Sequence, residues 1–284
     1  MNIKSHSKSL FSKKALEIFG RSFFVMFGFI ALPLSVIDIF FPNSLNFGIN
    51  GLLLLVIICA FWAVYKAWPR FRISRCFSLP NIEIKIAEGD LFDANDNLVI
   101  GMSDTFDTEK GEIIKPETVQ GQFLTSVYGD NRQKLDEDLT NALKSIKFFV
   151  DKKKNKGKSN RYPIGTVAYL NRERRRYFCI AYSKMNNDFR AQSSIQMLTT
   201  SLDSLWTSIR TNGQNNGVSM AIIGSDTARL GHIVSYEDLI KLIVTSFVLT
   251  SREKVIAPSL TIFIHSKNRE KINILEIQDF LQSF

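Results

Sequence analysis

Two long apolar segments near the N-terminus constrain this chain more than any other feature. They run from Phe23 to Phe41 and from about Phe47 to Trp68, with a short polar turn between them. Each is close to the ~20 residues that a helix needs to cross the hydrocarbon core of a bilayer. A signal peptide fits less well, because the first segment is long, lacks a small-residue cleavage site and is followed directly by the second. A buried helical hairpin in a soluble core is the other alternative to two transmembrane helices at about 22–41 and 47–68.

The positive charge of the chain is concentrated around these segments. The formal net charge is +9. Residues 1–76 contain nine Lys or Arg and two acidic residues, whereas the other 208 residues contain 27 basic and 25 acidic ones. This nearly neutral remainder argues against nucleic acid as a partner. Basic residues flank the two segments but are missing from the connection between them, so the positive-inside rule predicts a two-span protein of the cell inner membrane with both termini in the cytoplasm.

Two residues inside the first segment are candidates for a function in the membrane. Pro33 removes a backbone donor and would kink a helix or loosen its hydrogen bonding. Asp38 lies near the outer end, where it could reach lipid headgroups, contact another protomer or line a pore. Membrane lipids and further copies of the chain are therefore the expected partners of this segment.

Cysteine and histidine are too sparse to indicate a metal centre. The chain has three Cys and three His, and no CxxC spacing occurs. We therefore expect no metal site and no disulfide framework, which is consistent with a reducing compartment.

The remainder of the chain alternates between short apolar runs and helical patterns. Strands are expected at 82–87, 97–102, 165–171, 177–183, 220–223 and 260–265, and helices at 117–127, 131–149, 189–210, 236–250 and 270–284. This order predicts an α/β fold, a three-layer α/β/α sandwich with a mixed sheet, over residues 77–284. The basic run Asp151–Arg161 is expected to be a solvated loop, with contact to anionic headgroups as its alternative.

Two loops that follow apolar runs contain glycine and hydroxyl residues. The first is Gly101–Thr108, and the second lies within SMAIIGSDTARLGH, Ser219–His232. Such a loop can be a plain turn, or it can direct backbone N–H groups at a phosphate. If both loops lie at one edge of the sheet, they could bind a single anion together.

The order of these motifs resembles that of a macro domain. EGDLFD at Glu88–Asp93, YPIGTVAYL at Tyr162–Leu170 and AIIGSDTARLG at Ala221–Gly231 are similar to successive parts of that family, over about residues 82–265. The resemblance implies a pocket for ADP-ribose, in which Asp90 accepts a hydrogen bond from the adenine amino group. Alternatively, Asp90 is only a turn residue after Gly89. The ligand-binding residues that the resemblance implies are Asp90, Leu91, Ser103, Asp104, Thr105, Phe106, Gly224, Ser225, Asp226, Thr227, Ala228, Arg229, Leu230 and Gly231.

The sequence departs from the family at the positions that catalysis would need. Gly101-Met102-Ser103 replaces the usual Asn-Ala-Asn, and Ala228 stands where some macro hydrolases have a catalytic Asp. An Ala side chain can neither transfer a proton nor attack an acetal carbon. We therefore expect no catalytic residue and no cofactor, in a pocket that binds its ligand without turnover.

Two spans followed by a macro domain also resemble the membrane-bound macro effectors of Thoeris-type antiphage defence. The resemblance implies an effector that senses an ADP-ribose-derived signal made from NAD by a separate TIR-domain protein. It also implies that the effector forms a homo-oligomer and disrupts the host membrane in abortive infection. A membrane-tethered ADP-ribosyl hydrolase and a membrane anchor with a protein-binding domain are the alternatives.

Overall fold

A computed structural model describes residues 12–41, 48–68, 72–225, 230 and 233–284. The chain forms two compact units, Met1–Arg70 together with Arg269–Ser283, and Phe71–Asn268 together with Phe284. The chain therefore leaves the first unit after Arg70, builds the second unit, returns to the first for its last helix, and ends with Phe284 in the second.

The first unit contains the two apolar segments as helices. Helix α1 spans Lys13–Phe40 and helix α2 spans Gly48–Ala67, and both are long and apolar enough to cross a membrane. Helix α1 begins about ten residues before the predicted span, because the Ser12 hydroxyl caps it by accepting a hydrogen bond from the Ala15 N–H at 3.1 Å. The 28 residues of α1 give a helix about 42 Å long. Pro33 lies inside this continuous helix, and Asp38 lies in its last turn with an exposed side chain.

The last helix of the chain, α7 at Ile274–Ser283, belongs to the first unit. Lys14 Nζ of α1 lies 2.9 Å from Asp279 Oδ2 of α7, and Lys14 also pairs with Glu17 at 3.3 Å. Both ends of the sequence therefore contribute to this unit.

One mixed sheet forms the centre of the second unit. Its strands are β1 Arg72–Ser78, β2 Asn81–Glu88, β3 Asn97–Ser103, β6 Val167–Arg172, β7 Arg175–Met185, β8 Ala191–Gln192, β9 Val218–Ala221 and β10 Ser259–Ile264. A separate hairpin consists of β4 Phe149–Val150 and β5 Asn160–Arg161. The order across the sheet is β1-β2-β10-β9-β3-β7-β6, and β8 pairs with β7. The five central strands, from β2 to β7, are parallel, and β1 and β6 are antiparallel at the two edges.

The pattern of apolar residues explains which strands are central. Along β2, Ile82, Ile84 and Ile86 are buried while the residues between them are less so, as expected for an alternating strand. Nearly every residue of β3 and β7 is buried, which is typical of parallel strands covered on both faces.

Helices cover both faces of the sheet. On one face, α3 at Val119–Tyr128 and α4 at Arg132–Leu143 share a core cluster with alternate residues of β3. Helices α5 at Ile195–Asn212 and α6 at Tyr236–Glu253 pack together, and the Trp206 and Phe247 rings meet edge to face at 5.3 Å. The connections from β3 to β7 and from β7 through β9 to β10 run in opposite directions along the sheet. Right-handed crossovers therefore place these two helix pairs on opposite faces, and the predicted α/β architecture is confirmed.

Three differences from the sequence prediction concern short strands. The helix expected over 131–149 ends at Leu143, because Phe149 pairs with Arg161 as part of β4. Strand β1 was not predicted, since RISRCFS has little apolar alternation, and the expected domain boundary between residues 76 and 77 falls inside it. Helix α5 begins at Ile195 and not near 189, because Ala191 and Gln192 pair with β7 as β8.

We predict that Gly121→Ala destabilises the second unit by about 1–3 kcal/mol, as overpacking of a well-packed site does. An added Cβ would overlap the Lys115 carbonyl oxygen and lie 2.8 Å from that of Pro116, and both are backbone atoms that cannot swing away. Thermal unfolding of the full chain in detergent, followed by near-ultraviolet circular dichroism, measures the effect. Ser126→Ala, at an exposed position of the same helix, is the control and should leave the transition unchanged. Equal transitions for both variants would contradict the packing described here.

Candidate functional site

The sheet changes direction between β3 and β9. These strands are parallel neighbours, but the chain leaves β3 toward β7 and leaves β9 toward β10 on the other side. In open α/β sheets, ligands bind at such a switch point, beyond the carboxyl ends of the strands. The two loops singled out in the sequence follow these two strands, so the structure brings them to the same edge of the sheet. Asp90 follows β2, whose carboxyl end lies at that edge as well.

Asp90 is exposed and only partly used by the fold. Its Oδ1 accepts a hydrogen bond from the Phe92 N–H at 2.9 Å and so caps the short 3₁₀ turn Leu91–Asp93. The other oxygen, Oδ2, has no hydrogen-bond partner among the residues that the structure describes. Leu91 is 5% exposed and belongs to the core cluster between the sheet and α3 and α4. The two predicted residues therefore differ, since Asp90 offers an acceptor to solvent and Leu91 packs inside.

The loop after β3 is buried and bonded to the protein itself. Asp104 is 3% exposed and accepts two hydrogen bonds from Arg161 Nη1, at 2.8 and 3.0 Å, and one from the Met185 N–H at 3.0 Å. Phe106 adopts a left-handed backbone conformation, with φ of 47°, and its ring meets Tyr162 edge to face at 5.5 Å. Ser103 and Thr105 share a hydrogen bond at 3.1 Å. The side chains of Ser103–Phe106 are thus not directed into open solvent.

Asp107 forms the most buried ion pair of this loop. Its Oδ2 lies 2.6 Å from Lys154 Nζ, and the two side chains are 1% and 0% exposed. The same carboxylate accepts from the Thr105 hydroxyl at 2.5 Å and from the Lys158 N–H at 2.6 Å. Sequence analysis singled out neither Asp107 nor Lys154. The signal that could have found them is the pair of acids in SDTFDT, which need counter-charges once the loop is buried.

The basic run Asp151–Arg161 is only in part the solvated loop that the sequence predicted. It forms the connection and second strand of the β4–β5 hairpin, which lies on the loop after β3 through Lys154, Lys158 and Arg161. The prediction was wrong for these three residues, because they satisfy buried acids and carbonyls. Arg161 also donates to Asp151 at 2.8 Å, and this hydrogen bond holds the pKa of the Asp151 carboxyl below its usual range.

The loop after β9 begins with a turn that favours glycine. Gly224 has φ of +90°, and a Cβ there would lie 2.9 Å from Leu230 Cδ1. Leu230 is 1% exposed, and its carbonyl oxygen accepts from the N–H groups of Ile233 and Val234, both at 2.8 Å. The Ser225 hydroxyl donates to the Ile222 carbonyl at 2.9 Å. Residues 226–229 and 231, which the sequence also predicts to bind ligand, lie outside the described residues.

Acidic and metal-ligating side chains form no metal centre in the part of the chain that the structure describes. No group of three or more His, Cys, Asp or Glu that could hold a metal ion occurs among those residues. This edge of the sheet therefore offers the exposed carboxylate oxygen of Asp90, the turn at Gly224, and the loop after β3, whose acids are paired with basic side chains.

Comparisons with known proteins agree with this arrangement. The family model "Thoeris protein ThsA, Macro domain" matches residues 84–265. The chain is 26% identical over 241 residues to the Thoeris protein ThsA of Bacillus amyloliquefaciens (strain Y2), a match that covers 81% of this chain and 76% of that protein. The Oceanobacillus iheyensis macrodomain with ADP has a similar fold, with a TM-score of 0.51 and 10% identity over 76% of this chain and 100% of the macrodomain. The same macrodomain with MES bound gives a TM-score of 0.51 and 10% identity, over 75% and 97% of the two chains.

We predict that Lys154→Ala destabilises the second unit by about 3–5 kcal/mol, since it leaves Asp107 as a buried charge without its cation. Thermal unfolding of the full chain in detergent measures the loss. Lys152→Ala is the matched control, two residues away with an exposed side chain and no side-chain partner among the described residues, and it should change stability by less than about 0.5 kcal/mol. A small effect of Lys154→Ala would mean that the hairpin is not held by this pair.

Proposed function

The chain belongs to the family of Thoeris ThsA macro domains, and from this membership we propose that it is an antiphage defence effector. Its macro domain binds an ADP-ribose-derived nucleotide signal that a TIR-domain protein makes from NAD. Binding leads several copies of the chain to assemble and to disrupt the cell inner membrane. This response of the infected cell is abortive infection. The observation that carries the proposal is the family match over residues 84–265, and the exposed Asp90 at the carboxyl edge of the sheet supports the ligand pocket.

Asp90 and the loop after β9 are proposed to hold different parts of the nucleotide, Asp90 the adenine and the loop the diphosphate. Asp90 Oδ2 accepts from the adenine amino group while Oδ1 keeps its cap on the 3₁₀ turn. The N–H group of Gly224 donates to no backbone carbonyl among the described residues, which supports a role in holding a phosphate. Residues 226–231 would complete this loop.

We propose that the loop after β3 contributes to the pocket through its backbone more than through its side chains. Asp104 and Asp107 would repel a diphosphate if they stood alone. Arg161 and Lys154 neutralise them inside the protein, so a phosphate could approach the backbone of this loop without facing two free carboxylates. The proposed role of Ser103–Phe106 is therefore to shape the edge.

We propose that the pocket binds the nucleotide without hydrolysing it. The Asn-Ala-Asn segment is replaced, and Ala228 stands in place of an acid. A membrane-tethered ADP-ribosyl hydrolase is the competing function, and consumption of ADP-ribose in long incubations would support it. An anchor with a protein-binding domain is the second competitor, and it predicts that no nucleotide binds.

We propose that the two apolar helices, α1 and α2, cause the membrane disruption. Helices α1 and α2 expose most of their large apolar side chains, such as Phe24, Phe29 and Leu52, which suits contact with lipid tails. Asp38 has no partner among the described residues, and an acid in such a helix would gain from a polar contact with another copy. A ligand can drive this assembly only if it binds the assembled state better than the resting state.

We predict that Asp90→Asn raises the Kd for ADP-ribose about 10–100-fold, which corresponds to the loss of one hydrogen bond to a charged group. Asn keeps an oxygen to cap the Phe92 N–H but presents an NH₂ donor to the adenine amino group. Calorimetry on the full chain in detergent, titrated with ADP-ribose, measures the change.

Asp93→Asn is the control for this titration, since Asp93 is exposed in the same 3₁₀ turn and should bind ADP-ribose like the parent. Unchanged binding by Asp90→Asn would contradict the assigned pocket. Absence of binding by the parent would favour the anchor with a protein-binding domain.

We predict that Asp38→Asn weakens membrane permeabilisation during infection of cells that also express the TIR partner, and that it leaves the affinity for ADP-ribose unchanged. Dye entry into infected cells reports permeabilisation, and calorimetry reports affinity. Ser35→Ala is the control, because Ser35 only donates back to the Ala31 carbonyl within α1, at 2.9 Å. Full permeabilisation by Asp38→Asn would remove Asp38 from the mechanism.

A further inference from the structure

The segment between α4 and the β4–β5 hairpin connection exposes an unusual surface. Ile146, Phe148, Phe149 and Val150 are 36%, 50%, 63% and 52% exposed. Basic side chains interrupt and flank them, and the exposed lysines are Lys144, Lys147, Lys152 and Lys153. We call the exposed residues of 144–150 and 152–153 the basic apolar patch.

The lysines of this region fall into two groups. Lys154, Lys156 and Lys158 each pair with an acid of the same unit, at 2.6, 2.8 and 2.5 Å. The side chains of the four patch lysines have no hydrogen bond or ion pair among the residues that the structure describes. The one acid within 144–153, Asp151, is already bound by Arg161 at 2.8 Å. The patch therefore presents positive charge that the protein does not balance locally.

The apolar part of the patch is held in place. Phe149 and Val150 form β4 and pair with Arg161 and Asn160 of β5. The Phe148 ring lies 5.5 Å from that of Tyr162. Single exposed apolar residues are ordinary on protein surfaces, but four within five positions are typical of an interaction site.

We propose that the basic apolar patch docks on the anionic surface of a lipid bilayer. Phe149 and Val150 would enter the headgroup region while the four lysines approach lipid phosphates, the combination that holds proteins at membrane interfaces. The proposal goes beyond the function above and rests on its membrane location. Only four residues, 68–71, connect the end of α2 at Ala67 to β1, so a bilayer crossed by α2 is present at high effective concentration.

Charge favours lipid over a second copy of the chain as the occupant. In a two-fold contact the same patch would meet itself, and the four lysines of one copy would face those of the other. A bilayer with anionic lipids supplies the opposite charge and an apolar layer in one surface.

A fluorescent label at position 149 tests the proposal in the full chain. Phe149→Cys is made in a Cys76→Ser background, because Cys76 is exposed whereas Cys59 and Cys179 are buried, and the new thiol receives an environment-sensitive NBD group. The protein is reconstituted in vesicles of phosphatidylcholine alone or with phosphatidylserine. We expect a blue shift and protection from iodide quenching only in the anionic vesicles. A label at Leu249, which is 49% exposed outside the patch, should show neither.

Charge variants separate docking from other causes of a shift. Lys147→Glu with Lys152→Glu should abolish the blue shift, whereas the matching Arg variants should keep it, and neither pair removes an internal contact. A water-like emission of the parent in anionic vesicles overturns the docking. A shift that depends on protein density and not on phosphatidylserine also overturns it, in favour of a second copy. Release of the chain from the vesicles at alkaline pH would overturn the membrane location itself. If the chain stays in the membrane and the NBD label at position 149 emits as in water, only the docking is overturned.

Discussion

Charge neutralisation beneath the carboxyl edge of the sheet is the constraint on which the second unit depends. Two acids, Asp104 and Asp107, follow β3 into a buried loop, where bare carboxylates would be costly. Arg161 and Lys154 reach them from the β4–β5 hairpin and remove that cost. The same contacts fix the hairpin, and so they also determine which of its other lysines and apolar residues remain on the surface. The same ion pairs therefore support both the carboxyl edge where the nucleotide is proposed to bind and the hairpin that exposes the basic apolar patch.

Much of the fold could be predicted from local patterns. Alternation at Ile82, Ile84 and Ile86 and the apolar runs of β3 and β9 identified their strands, and the order of motifs led to the macro-domain resemblance, which the family match confirms. The sequence could not predict which lysines of the basic run Asp151–Arg161 are buried, because nothing in the local pattern distinguishes Lys152 from Lys154. Their difference arises from a partner 47 positions before Lys154, which only the folded chain brings near.

In the candidate site as well, the local sequence predicts some features, and contacts with residues distant in the sequence determine others. For Asp90, a turn residue and a ligand acceptor were alternatives, and the geometry allows both at once, because each role uses a different oxygen. Leu91 and Ser103–Phe106 are predicted at the ligand, and the structure buries their side chains, since Leu91 packs in the core and the β4–β5 hairpin covers the loop after β3. Their contact with a ligand stays a prediction. Sequence pattern marks a loop as unusual, and its environment determines whether its side chains or only its backbone can meet a ligand.

The path of the chain has a consequence for its covalent connectivity. Residues 71–268 belong to the second unit, and the chain then returns to the first unit through the 3₁₀ turn Ser266–Lys271 and α7 before it ends at Phe284. The first unit is therefore built from two separate parts of the sequence, Met1–Arg70 and Arg269–Ser283. A single cut in the chain near residue 70 would release α1 and α2 as one fragment and would leave α7 covalently attached to the second unit.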